Sequence, residues 1–168
     1  MTTKKHLAFF AFLGLTFISA QAVAEDTLIL KRPIMTLDAA EKIARTAIDT
    51  CRKKGINIGV TVVDRSGQTL VVMRDTLAMP LTLDISQQKA YSALSFNTTT
   101  ASLEGRFKGP GSVAKVDGVI TSAGGIPITA AGNILGGIGV SGAPSGKTDE
   151  ECAKAGLKSV STDLEMSM

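Results

Sequence analysis

Two β-branched runs on either side of a four-residue turn constrain this chain most. Residues 56–63 and 68–74 flank Asp64-Arg65-Ser66-Gly67. Valine, isoleucine and threonine favour extended backbone, and the Asp/Ser/Gly cluster reverses the chain. The pattern predicts a β-hairpin, so part of any sheet is antiparallel. Upstream, Leu37, Ala40, Ile43, Ala44, Ala47, Ile48 and Cys51 recur at helical spacing. Thr36 is a suitable N-cap, and Lys53-Lys54-Gly55 a basic last turn with a C-cap.

Residues 75–80 read as a loop and 82–96 as a second helix, with Ala90, Ala93 and Leu94 facing inward. Thr99 or Thr100 caps a short third helix ending near Phe107, and a Gly/Pro loop follows over 108–116. Three short strands are expected at 119–122, 126–129 and 133–140, with Ala131-Gly132-Asn133 turning between the last two. Thr148 with Glu151 has the spacing of a capping box for the final helix, which buries Cys152, Gly156 and Val160. Helices that flank blocks of strands predict an α+β domain over residues 36–160, built on a five-stranded antiparallel sheet with packed helices. Residues 25–35 form an extended lead-in and 161–168 a C-terminal tail.

Residues 1–24 have the order of an export signal. Lys4, Lys5 and His6 precede an uncharged apolar run over 7–20, and Ala22-Val23-Ala24 supplies small residues for cleavage. The run is short for a bilayer span, and no second such run follows. The expected location is periplasmic or secreted, without stable membrane insertion after cleavage. Removing the signal takes two lysines from 18 basic residues and none from 15 acidic ones, leaving a net charge of +1. The pI near 9.0 therefore does not indicate a nucleic-acid partner. The chain's single histidine also leaves, which excludes a histidine base or ligand. Cys51 and Cys152 remain, and an oxidising compartment permits a disulfide.

Two glycine motifs invite a nucleotide reading. Gly137 to Gly142 matches GxGxxG, but it falls within the last expected strand rather than between a strand and a helix. Residues 141–148 read SGAPSGKT, one residue from a P-loop, yet no parallel sheet carries them. The bland readings are strand glycines and a solvated loop. A Ser–Lys pair of Lys89 with Ser86 or Ser92 is the remaining nucleophile arrangement. A second constellation is Arg74, Lys89 and Tyr91 with Ser122, Gly124 and Gly125. If these converge, they offer two cations, a phenol and exposed amides to a small anionic or planar ligand, such as the propionates of a tetrapyrrole.

Five stretches in order resemble the GlcG/HbpS-like family, whose members bind or degrade haem. They are residues 60–67 (VTVVDRSG), 89–93 (KAYSA), 123–128 (AGGIPI), 136–143 (GGIGVSGA) and 149–156 (DEECAKAG). The resemblance implies a profilin-like sheet with packed helices, assembly into dimers or larger homo-oligomers, and haem as the cofactor to test. Packing the terminal helices on one sheet face would bring Cys51 and Cys152 together as a disulfide. One departure bears on haem. Exported relatives often carry Gly-Pro-His-Thr before the second helix, where this chain has Met79-Pro80-Leu81-Thr82. Leucine cannot bind iron, which leaves Met79, Tyr91 or an unoxidised cysteine as donors. The expected function is a haem- or tetrapyrrole-binding protein, non-enzymatic or with weak haem-linked activity. The alternatives are an accessory homo-oligomer without ligand, and an enzyme that holds a small carboxylate with Arg74 and Lys89.

Overall fold

A computed structural model describes residues 28–168; the export signal expected over residues 1–24 lies outside the described residues. Residues 32–168 form one compact unit. Its sheet has four antiparallel strands, β1 (Gly59–Asp64), β2 (Thr69–Arg74), β3 (Gly125–Ala130) and β4 (Asn133–Ser141), in the order β2-β1-β4-β3. The helices are α1 (Leu37–Arg52), α2 (Thr82–Phe96), α3 (Gly146–Lys158) and the short α4 (Ser161–Met166).

The hairpin forms as the sequence predicts. Asp64 Oδ1 accepts hydrogen bonds from Ser66 N (2.8 Å), Ser66 Oγ (2.7 Å) and Gln68 N (3.0 Å). Burial alone would raise the Asp64 carboxyl, but these donors outweigh it and hold it below its usual range. The β3–β4 connection turns through Ala131 (φ 44°) and Gly132 (φ 77°), both left-handed as a two-residue hairpin loop requires.

Each face of the sheet has its own cover. Val60, Val62, Ile128, Ile138 and Val140 join the buried stripe of α1 and the α3 residues Cys152 and Ala153 in the main core. Leu37 lies off that stripe and is exposed. The opposite face carries Thr61 and Val63 of β1 and is covered by α2. Here the β4 glycines let the helix backbone settle directly on the strand. A methyl group at Gly139 would run into Ser86 O and Ala90 N, and one at Gly137 into Ala90 O. The GxGxxG spacing therefore reflects close packing rather than a phosphate turn.

Three expectations need correction. The sheet has four strands, not five: residues 119–122 make no ladder, and Ile120 N instead donates to Ser92 Oγ (2.9 Å). The final helix is capped by Ser145, whose Oγ accepts from Thr148 N (3.2 Å), so Thr148 is already helical. The expected third helix is a single 3₁₀ turn, Thr100–Leu103, capped by Thr99.

The cysteines are joined. Cys51 and Cys152 form a disulfide with Cα atoms 5.8 Å apart, buried between α1 and α3. Lys54 and Glu151 pair beside it at 2.6 Å, and that contact lowers the Glu151 carboxyl. Among the described residues no helix is long and apolar enough to cross a membrane.

Candidate functional site

The residues singled out from sequence separate into four places. Lys89 meets Gly124 and Gly125 in the interior. Its side chain is 4 % exposed, and Nζ donates to Asp149 Oδ2 and Val140 O, each at 2.9 Å. Asp149 Oδ1 accepts from Ala143 N at 2.9 Å. Burial pushes the Asp149 carboxyl up, partly offset by the Lys89 hydrogen bond and charge and by the Ala143 amide. Gly124 has φ 124° and presses on the ammonium, since a Cβ there would stand 2.8 Å from Nζ. The Gly125 amide is spent on Thr100 Oγ1 at 2.8 Å. This is a closed brace that joins α2, β4 and α3, and none of its polar atoms named here faces an open groove. It also explains the P-loop-like run: an amide of that loop is taken by Asp149.

Arg74 lies elsewhere, at the end of β2. Its Nη1 donates to the carbonyls of Asp75 (3.3 Å), Thr76 (3.4 Å) and Ala78, so the guanidinium staples the loop that precedes α2. Nearby, Asp75 is buried and takes both Nε and Nη2 of Arg52 on Oδ1. Ser122 is exposed in the segment that leads to β3. The Ser–Lys arrangement does not form, because Ser86 Oγ contacts Thr61 Oγ1 (2.7 Å) and Ser92 Oγ serves Ile120 N.

Tyr91 lies on an open groove. Gly67, Gln68 and Thr69 of the hairpin form one wall, Asp84, Gln87, Gln88 and Tyr91 of α2 the other, and Asp117 and Gly118 one end, around roughly 660 Å³. The volume is in the range of small-molecule clefts. Asp84, Gln88 and Tyr91 recur at helical spacing, and Leu81 continues that row toward the start of α2. Tyr91 is 41 % exposed, and its ring covers Gly67, where a Cβ would stand 2.9 Å from Cε2. β2 adds Val72, exposed and paired with Thr61, hence on the α2 side. Beyond it Leu77, Met79 and Leu81 expose apolar side chains. The groove thus has a polar end with two carboxylates, three carboxamides and a phenol, and an apolar approach. Among the described residues no lysine or arginine lines it. Sequence reasoning missed Gln68, Thr69, Asp84, Gln87, Gln88 and Asp117. The spacing of Asp84, Gln88 and Tyr91 along one helix face was the available signal.

An antiparallel sheet with helices on both faces, and an open groove of small-molecule size along one edge, define an α+β fold with a candidate binding cleft. More narrowly, the chain belongs to the HbpS-like family, described as haem degrading protein HbpS-like, whose model matches residues 35–158. A crystal structure of a double mutant of Streptomyces reticuli HbpS is similar at 39% identity and TM-score 0.75, covering 83% of this chain and 96% of that one. Klebsiella pneumoniae ORFY is similar at 27% identity and TM-score 0.74, covering 79% and 94%. A PduOC–haem complex shares the fold at 22% identity and TM-score 0.68, covering 76% and 95%.

Proposed function

We propose that this protein is an exported binding protein for haem or a related planar tetrapyrrole, held in the groove between β2 and α2. One observation carries the reading: in a chain of the HbpS-like family, the sole tyrosine lines an open groove of ligand size. The donor chemistry narrows how haem is held. Both cysteines are consumed in the buried disulfide, and the only histidine, His6, lies in the segment we read as an export signal. Of the remaining donors Met79 is exposed outside the groove lining and Tyr91 is within it, so Tyr91 would ligate the iron; a phenolate is an established haem ligand. Val72 and Leu81 would pack against the porphyrin edge. The propionates find no cation in the groove and would point to solvent, so binding is modest.

The carboxylate-enzyme alternative loses support, since Lys89 is bound to Asp149 and Arg74 to its own loop. Leu81→His tests the reading. It places an imidazole on the same helical row as Tyr91, so haem binding should tighten and the Soret band should move toward an imidazole-ligated form. Unchanged affinity and spectrum would show that the loop at position 81 is not the iron site, and Tyr91→Phe then decides for or against the groove.

A further inference from the structure

One long irregular stretch of chain reaches the groove. Residues 104–124 join the 3₁₀ turn Thr100–Leu103 to β3 and hold a single further 3₁₀ turn, Val113–Lys115. Asp117 and Gly118 of this stretch form one end of the groove. Connections this long are uncommon in a compact domain, and ordered ones are usually lids or binding loops. The base of the stretch is tied down. Glu104 Oε1 accepts from Ala123 N at 2.8 Å, so its two ends meet, and Ile120 N is held by Ser92 Oγ. Phe107 packs on Phe96 of α2, with ring centroids 5.2 Å apart.

Between these anchors the chain bonds only to itself. Among the described residues, every hydrogen bond of residues 109–118 stays within the stretch, as in Lys115 N to Ser112 O (3.0 Å) and Val116 N to Val113 O (3.1 Å). A Cβ at Gly109, Gly111 or Gly118 would meet nothing within 4 Å. The tip therefore stands clear of the body as a small unit, stiffened by its own 3₁₀ turn. Gly109 (φ 115°) and Gly118 (φ 84°) bracket it. Small residues at the ends of a loop are where hinge rotation is readily absorbed. The tip also carries what the groove lacks. Val113 (36 %) and Val116 (56 %) expose apolar side chains. Lys115, between them, is exposed, and its ammonium pairs with no carboxylate among the described residues. Cations on the elements around the groove are committed elsewhere: Arg65 to Ile134 O (3.3 Å), Arg74 to its own loop and Lys89 to Asp149.

We propose that residues 110–117 are a lid that folds over a ligand in the groove, laying Val113 and Val116 on its apolar face and bringing Lys115 to its carboxylates. The proposal rests on the reading of the groove given above and adds what meets the propionates at its mouth. It narrows the ligand to a planar apolar molecule that carries at least one carboxylate. Lys115 lies two residues from Asp117, and its four-carbon stem lets the ammonium reach past the groove end. The pair it forms is exposed, so its effect on affinity is up to about five-fold and fades with added salt.

Limited trypsin digestion of the wild type, with and without haem, tests the movement. Haem should slow cleavage after Lys115 several-fold, while cleavage after Lys31, in the lead-in before α1, keeps its rate. Titrations of the wild type and Lys115→Gln with haem and with its propionate diester test the contact. At low salt Lys115→Gln should weaken haem binding by up to about five-fold and flatten its salt dependence, yet bind the diester as the wild type does. Haem that binds with a Tyr91-dependent spectrum but leaves the Lys115 site equally open overturns the lid and keeps the groove reading. The same holds if Lys115→Gln weakens haem and diester equally, or neither. Haem binding that neither depends on Tyr91 nor protects Lys115, or no saturable binding at all, overturns the groove reading and the lid with it.

Discussion

Replacing Lys89 by methionine separates a structural brace from a ligand contact. The ammonium is 4 % exposed and holds Asp149, itself 5 % exposed, at 2.9 Å. Methionine keeps much of the stem volume but removes both Nζ hydrogen bonds. Asp149 would retain the Ala143 amide alone, 2.9 Å from Oδ1, and Oδ2 would be stranded. Breaking a buried pair by removing one partner costs about 3–5 kcal/mol. Whole domains are stable by only about 5–15 kcal/mol, so the variant approaches the edge of folding. With a urea slope of about 1–3 kcal/mol/M, the unfolding midpoint should fall by roughly 2 M. Adding Asp149→Leu should recover most of the loss, because an apolar replacement of a whole buried pair is often neutral. Urea titrations of the wild type, the single and the double variant provide the assay, with haem titration of each beside it. A Lys89→Met protein of unchanged midpoint but weaker ligand affinity would refute the brace and return Lys89 to the binding site.

Two further outcomes follow from the same core. The disulfide spans 101 residues, so reducing it, or making Cys51→Ala with Cys152→Ala, should cost about 4.7 kcal/mol by loop entropy, read as a lowered urea midpoint. Asp149 has its carboxyl raised above 3.8 in the fold. Between 3.8 and the raised value, the native state holds a proton that the unfolded chain has released, so this group's contribution to stability falls as pH rises through that window. Asp149→Asn should flatten that part of the stability–pH curve, and urea midpoints measured at closely spaced pH values check it.

What the sequence made legible was whatever local periodicity decides. The α1 stripe apart from Leu37, the limits of α2 and the β1–β2 turn all follow from spacing and turn chemistry, and each is found where expected. The missing strand at 119–122 shows the boundary of that logic. Val119 and Ile120 have strand composition, but a strand exists only where a neighbour supplies a ladder, and here Ser92 takes the Ile120 amide. Thr148 and Glu151 have the spacing of a cap, and so do Ser145 and Thr148; packing chooses the earlier one. Lys89 shares its helical face with Thr82, Ser86 and Ala93, all buried, which marks it as interior. Its partner lies 60 residues away and carries no local signal. The groove was harder still to foresee, because its walls come from the hairpin, α2 and the segment around Asp117, which only the fold brings together.

Haem titration of the wild type against Tyr91→Phe, followed through the Soret region, tests the central claim most directly. The variant removes one hydroxyl from an exposed side chain and should leave the unfolding free energy within about 0.5 kcal/mol of the wild type. The account predicts a saturable Soret change for the wild type, with a phenolate-ligated spectrum, and loss of that spectrum with weaker binding in Tyr91→Phe. No saturable change in the wild type, or tight binding with the same spectrum in both proteins, would contradict it.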